Sequence, residues 1–172
     1  MPDTPRPSQM SPEQFMEMFG GVYEHSPWVA QGAIENGLTS SADAAEGLAA
    51  HMAGVVDSAS KEQKLDLLRA HPDLAGRLAL AGEMTASSLN EQSAAGLDQC
   101  TPEELARFTE LNNIYTGTFG FPFILAVRGY HRTEILELFE QRTANSPEAE
   151  FAEALRQVNK IARLRIEAMF SG

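Results

Sequence analysis

The strongest constraint on the fold is a recurring signal for the start of a helix. A serine or threonine stands directly before a proline at four places: Ser11-Pro12, Ser26-Pro27, Thr101-Pro102 and Ser146-Pro147. The hydroxyl of such a residue can cap a helix. Proline is favoured at the first helical position, because its missing N–H would have no partner there. The pattern predicts that a helix begins at each of these four dipeptides.

Apolar residues recur at helical intervals after these starts, and no segment alternates between apolar and polar residues as a strand would. Beyond the helices that open at residues 11 and 101, the spacing predicts helices over residues 27–36, 43–58, 61–70, 72–80, 88–97, 133–144 and 147–170. We therefore expect an all-α, single-domain bundle of about eight helices. This domain would span residues 11–172, after a flexible, proline-containing tail over residues 1–10.

Charge and cysteine content exclude several classes of protein. The formal net charge of -11 argues against nucleic acid or an anionic membrane as a partner, since both need a basic face. Cys100 is the only cysteine, so an intrachain disulfide and a cysteine-based zinc site are excluded. The N-terminal residues have no apolar run typical of a signal peptide. We expect a soluble, cytoplasmic protein.

His71 is the first residue that could carry chemistry. It follows the predicted helix over residues 61–70 and precedes Pro72, which disfavours helical geometry for the residue before it. Histidine is also the side chain best suited to move protons near neutral pH. His71 is therefore either an ordinary helix C-terminus or a positioned acid–base group.

Ser88, Glu91 and Gln92 form a second candidate. The spacing of Ser88 and Glu91 is that of a capping box, which by itself explains both residues. The start of a helix also presents free N–H groups and the positive end of a dipole, which favour an anionic ligand. The two interpretations are compatible.

Arg165 occupies an apolar stripe of the last predicted helix, which is formed by Phe151, Leu155, Val158, Ala162 and Met169. An isolated buried charge is very costly, so a core-facing arginine needs partners. One alternative is a structural pair with a carboxylate such as Glu91. The other is a forked donor for a substrate carboxylate.

Residues 119–129 interrupt the helical pattern with the motif Phe119-Gly120-Phe121-Pro122-Phe123. The segment is either a buried hydrophobic connection or a run of backbone N–H groups that binds an oxyanion. Asn112, on the apolar face of the preceding helix, is expected to make a buried hydrogen bond from helix to loop.

Four segments in order resemble one known family. They are His71-Pro72-Asp73-Leu74-Ala75-Gly76, Ser88-x-x-Glu91-Gln92-x-x-Ala95-Gly96-Leu97, Leu111-Asn112-x-x-Tyr115-x-x-x-Phe119-Gly120-Phe121-Pro122-Phe123-Ile124 with Val127-Arg128-Gly129, and Ile161-Ala162-x-Leu164-Arg165. From about residue 11 to its end, the chain resembles the 2-oxo-4-hydroxy-4-carboxy-5-ureidoimidazoline (OHCU) decarboxylases of urate degradation.

The resemblance implies an all-α carboxy-lyase, usually a homodimer, that uses no metal and no organic cofactor. Its substrate would be the small anionic ureidoimidazoline, which loses CO₂ to give (S)-allantoin. By motif, His71 resembles the catalytic proton donor, Glu91 its partner in acid–base work or substrate orientation, and Arg165 the cationic ligand. The resemblance also implies substrate contacts at Pro72, Ser88, Gln92 and the backbone of Phe123, Ile124, Leu125, Ala126 and Val127.

One alternative from another class stays open on the residues alone. The chain could be a non-catalytic helical interaction module, in which buried His, Glu and Arg side chains form only a structural network.

Overall fold

The computed structural model describes residues 5–23, 25–71, 101–127 and 130–171. These ranges contain seven α-helices, two short 3-10 helices (Pro7–Gln9 and Ser40–Asp43) and no strand. The α-helices are α1 (Pro12–Phe19), α2 (Trp28–Glu35), α3 (Ala45–Asp57), α4 (Lys61–Ala70), α5 (Pro102–Phe119), α6 (Arg132–Thr143) and α7 (Pro147–Phe170). The all-α prediction is confirmed. The helices expected at 72–80 and 88–97 lie outside the described residues.

Capping hydroxyls explain three of the four helix starts that the serine–proline and threonine–proline dipeptides predicted. Three of the four predicted caps accept a hydrogen bond from a backbone N–H: Ser11 from Gln14, Thr101 from Glu104, and Ser146 from Ala149. The fourth prediction is wrong, because α2 begins at Trp28 and Pro27 occupies the N-cap position. None of the described side chains caps that helix.

The chain divides into two compact units. Unit 1 comprises Met1–Ala70 and Val158–Gly172, and unit 2 comprises His71–Gln157. Helix α7 therefore supplies its first half to unit 2 and its second half to unit 1. None of the helices in the described ranges is long and apolar enough to cross a membrane.

Unit 1 is built on side chains that the helical spacing places inward. Phe15 and Phe19 of α1 are fully buried, their ring centroids lie 5.1 Å apart, and Phe19 also contacts Phe170 of α7 at 6.3 Å. The division into a tail and one domain stays a prediction. Part of the expected tail is nevertheless held in place.

The segment around Ser8 contacts the short helix Ser40–Asp43. The backbone N–H and the hydroxyl of Ser8 donate to the two carboxylate oxygens of Asp43, at 2.9 and 2.6 Å. These two hydrogen bonds hold the pKa of Asp43 below its ordinary value, because they stabilise the ionised carboxylate.

Two glycines of α3 give a matched test of this packing. A Cβ atom added at Gly47 would lie 1.8 Å from the carbonyl oxygen of Ser41, whereas one added at Gly54 would meet nothing within 4 Å. In the interior of a helix, alanine is more stable than glycine by about 1 kcal/mol. We expect Gly54→Ala to raise the free energy of unfolding by up to that amount. Gly47→Ala should lower it by about 1–3 kcal/mol, because backbone must shift. Urea unfolding measures the free energy of unfolding of both variants. An equal increase in the two would contradict the close packing of Gly47 against the Ser41 carbonyl.

Unit 2 has an aromatic core. Tyr115 of α5 and Phe139 of α6 are fully buried, and the Phe123 ring contacts both, with centroid distances of 5.5 and 3.8 Å. Phe108 packs edge-on against Phe139 at 6.3 Å. The residues after α5 are thus part of the core rather than a surface loop.

Candidate active site

His71 lies where α4 ends. The helix occupies the residues that the sequence predicted, and it starts with a capping box. The Gln63 N–H donates to the Ser60 hydroxyl, and the Ser60 N–H donates to the side-chain Oε1 of Gln63, both at 3.1 Å. His71 is half-buried, and its Nε2 atom is shielded from solvent. The chain leaves the helix at His71, as expected for a residue that precedes proline.

Residues 121–127 form a buried connection. Helix α5 ends at Gly120, whose φ of +79° is a left-handed conformation that glycine adopts without strain. Apart from Pro122, every residue from 121 to 127 is at most 9% exposed, and the segment is neither helix nor strand. The hydrophobic-connection alternative is therefore confirmed, and it does not preclude a binding role for the backbone.

Most peptide N–H groups of this segment have no acceptor in the described part of the chain. The N–H of Ala126 donates to Gln157 Oε1 at 3.0 Å. The other four N–H groups of residues 123–127 donate to none of the described residues. A buried N–H without an acceptor is costly, and successive N–H groups that converge in a turn-like conformation can bind an oxyanion. This arrangement supports the oxyanion alternative.

A buried ion pair contacts the same segment. Arg142 of α6 and Glu150 of α7 are 6% and 0% exposed, and Arg142 Nη2 donates to Glu150 at 3.0 Å. Arg142 Nη1 donates to the carbonyl oxygen of Ile124 at 2.6 Å, and the guanidinium lies 4.5 Å from the centre of the Phe123 ring. Arg142 therefore fixes the start of the segment through one hydrogen bond and one cation–π contact.

Glu150 has further donors around it. The Tyr115 hydroxyl and the Asn145 side-chain amide donate to its carboxylate, at 2.5 and 2.9 Å. Burial, and then the hydrogen bond to Glu150, raise the pKa of Tyr115 above its ordinary range. Sequence reasoning missed this cluster. The signal was present, because Arg142 follows Ile135 and Phe139 on one helical stripe, the pattern that singled out Arg165.

Arg165 is buried in unit 1, as its position on the apolar stripe predicted. Its Nη1 donates to the carbonyl oxygen of Val22 at 3.2 Å. The neighbouring Tyr23 hydroxyl donates to Asn159 of α7 at 2.7 Å, so residues 22 and 23 are both tied to that helix. The Val22 carbonyl accepts from one of the five N–H donors of the guanidinium.

The prediction for Asn112 is wrong. Its side-chain oxygen is buried, but the amide makes no hydrogen bond with any described residue. The hydrogen bonds to the following segment come instead from Arg142 and Gln157, which belong to α6 and α7.

The expected site residues are divided between the two units. His71 and residues 123–127 belong to unit 2, and Arg165 belongs to unit 1. Pro72, Ser88, Glu91 and Gln92 lie outside the described residues.

Comparison with known proteins places this helical chain among the decarboxylases. A family model described as OHCU decarboxylase matches residues 8–167, and the chain belongs to that family. A Halalkalicoccus jeotgali protein named 2-oxo-4-hydroxy-4-carboxy-5-ureidoimidazoline decarboxylase is 43% identical over 94% of this chain and 88% of its own. A Haloferax volcanii protein of the same name is 40% identical over 95% of this chain and 94% of its own.

Solved structures agree with this assignment. A crystal structure of (S)-allantoin synthase matches with a TM-score of 0.75 and 35% identity over 95% of this chain. The match covers 52% of that protein, so this chain spans about half its length. A crystal structure of OHCU decarboxylase in the presence of (S)-allantoin has a TM-score of 0.68 at 24% identity and supports the fold alone.

Proposed function

We propose that this chain catalyses the cofactor-independent decarboxylation of OHCU to (S)-allantoin and CO₂ in urate catabolism. The observation that carries the proposal is the family match over residues 8–167, together with relatives of that name at 40% identity or more along nearly their whole length. The chemistry of the candidate residues supports the same reaction.

Decarboxylation needs two things from the protein. When the C–C bond breaks and CO₂ leaves, the electron pair stays on the ring carbon and delocalises into the ring. Hydrogen-bond donors placed where this charge develops lower the barrier, often by a few kcal/mol each. A proton must then reach the carbon from one face, and a positioned acid on that face sets the configuration of the product.

The backbone N–H groups of residues 123–127 that donate to no described residue suit the first need. They donate hydrogen bonds without any change in protonation state. The surrounding segment is almost completely shielded from water. In such surroundings a donor interacts more strongly with developing charge than it does in water. These groups therefore support the proposed contacts of the substrate with the backbone of this segment.

The motif match assigns the remaining roles in this proposal. His71 is the proton donor, because histidine is the side chain best suited to move protons near neutral pH. Glu91 orients it or shares its acid–base work, and Arg165 binds an anionic or carbonyl oxygen of the substrate. Ser88 and Gln92, with Pro72 beside the histidine, complete the substrate contacts.

Arg165 also provides positive charge that an anionic substrate needs. The chain carries a net charge of -11, so its overall field repels an anion. A buried arginine supplies the local positive charge that such a ligand requires. The proposal further includes a homodimer in the cytoplasm, which rests on the family resemblance.

A coupled assay tests the proposed function. Urate is oxidised and hydrated to OHCU by the two upstream enzymes, and the disappearance of OHCU is followed by its ultraviolet absorbance with and without this protein. We expect the protein to accelerate the decay in proportion to its concentration. A decay rate independent of added protein would contradict the proposal and favour a non-catalytic interaction module.

A further inference from the structure

Gln157 is the side chain that, among the described residues, accepts a hydrogen bond from the 123–127 backbone. Its Oε1 atom accepts from the N–H of Ala126 at 3.0 Å. Gln157 is half-buried on the first half of α7, in the same compact unit as Ala126. The contact leaves the other N–H groups of the segment without a described acceptor.

The orientation of the Gln157 amide is fixed by its neighbour. Gln157 Nε2 donates to Glu153 Oε1 at 3.0 Å, one helical turn earlier. A carboxylate can only accept hydrogen bonds, so the amide nitrogen must face Glu153 and the amide oxygen must face Ala126. Glu153 in turn pairs with Arg156 at 3.0 Å.

A second anchor holds the same backbone from α6. Arg142 donates to the carbonyl of Ile124. The two contacts therefore restrain the peptide groups on either side of Leu125. Restraint on both sides limits the rotation of these two peptide planes, so the N–H of Leu125, which shares a plane with the Ile124 carbonyl, keeps one direction. Preorganised donors stabilise a developing charge without reorganising at the moment of reaction.

We propose that Gln157 is a positioning residue for the decarboxylation. By accepting from Ala126 it fixes the direction in which the neighbouring N–H groups meet the oxygens of the substrate. This inference rests on the proposed function. Gln157 acts through the backbone and has no direct contact with the substrate in this scheme.

Three variants separate the hydrogen bond from other effects. Gln157→Leu removes the acceptor while keeping a side chain of similar bulk. The double variant Glu153→Gln with Gln157→Glu exchanges the polarity of the pair, so that residue 157 still accepts from Ala126. Gln141→Leu makes the same chemical change at an exposed position of α6.

The steady-state constants and backbone amide exchange of each variant are measured at equal folded concentration. Gln157→Leu should lower kcat/KM by about ten-fold or more, mainly through kcat, because misdirected donors stabilise the transition state less. The N–H of Ala126 should exchange faster. The double variant should recover most of the lost rate, and Gln141→Leu should match the wild type.

The outcomes are distinct. A Gln157→Leu enzyme with wild-type kcat and KM would overturn the positioning role, even if its unfolding midpoint fell, because that is the signature of a purely structural contact. Failure of the double variant to recover the rate would also overturn it, since side-chain shape would then be the cause. A wild-type protein with no activity overturns the proposed function itself, and the positioning role with it.

Discussion

Replacing His71 with asparagine is expected to lower kcat by at least about 100-fold, because general acid catalysis contributes that much or more. Asparagine keeps a polar side chain at the end of α4 but cannot carry and deliver a proton at neutral pH. The fold should survive, since His71 is only half-buried and follows the last residue of the helix. Initial rates in the OHCU decay assay, with far-ultraviolet circular dichroism as a check on folding, measure the effect.

His25 offers the matched control. It is exposed and has a φ of +54°, a left-handed conformation that asparagine tolerates well. His25→Asn should therefore leave the rate and the fold unchanged. Turnover close to wild type in His71→Asn would show that another group supplies the proton, and the assignment of His71 would be wrong.

Among the variants proposed, removing the Glu150 carboxylate is expected to cause the largest decrease in the free energy of unfolding. In Glu150→Ala the buried guanidinium of Arg142 keeps its charge without a counter-ion, and breaking a buried pair from one side costs about 3–5 kcal/mol. The Tyr115 hydroxyl and the Asn145 amide lose their acceptor as well. Urea unfolding measures the change in the free energy of unfolding.

Two further variants show whether the lost carboxylate is the cause. Glu148→Ala makes the same change at an exposed position in the first turn of α7 and should alter the free energy of unfolding by no more than about 0.5 kcal/mol. Replacing both partners, Arg142→Met with Glu150→Leu, should be less destabilising than Glu150→Ala, because no uncompensated charge remains. A Glu150→Ala protein as stable as Glu148→Ala would contradict the claim that the fold depends on the buried pair of Arg142 and Glu150.

The helices could be predicted from the sequence because their signals are local. A capping hydroxyl and a proline occupy adjacent positions, and the bounds of α4 and α7 agree with the prediction. The prediction of whether a single residue lies on the buried face of its helix was less reliable. Leu105 follows the same apolar spacing as the buried Phe108 and Leu111 but is 38% exposed, because a stripe of apolar residues specifies the buried face of a helix only to within about one position.

The candidate site was only partly predictable, because only some of its features have a local signal in the sequence. The inward position of Arg165 follows from its place on one stripe, so it could be predicted. The contact of Arg142 with the Ile124 carbonyl joins residues that are distant along the chain, and no local pattern specifies which carbonyl a buried arginine will meet. Asn112 is a second case, because its side chain makes no hydrogen bond with a described residue and the loop is bonded instead by Arg142 of α6 and Gln157 of α7.

The configuration of the allantoin tests the central claim most directly, because spontaneous decay of OHCU has no chiral surroundings and gives both enantiomers. Circular dichroism of the product formed from urate, with and without this protein, measures the excess of one enantiomer. A single positioned acid predicts (S)-allantoin in excess with the wild type, and a racemic product with His71→Asn. A racemic product in the presence of active wild-type protein would contradict delivery of the proton from one face.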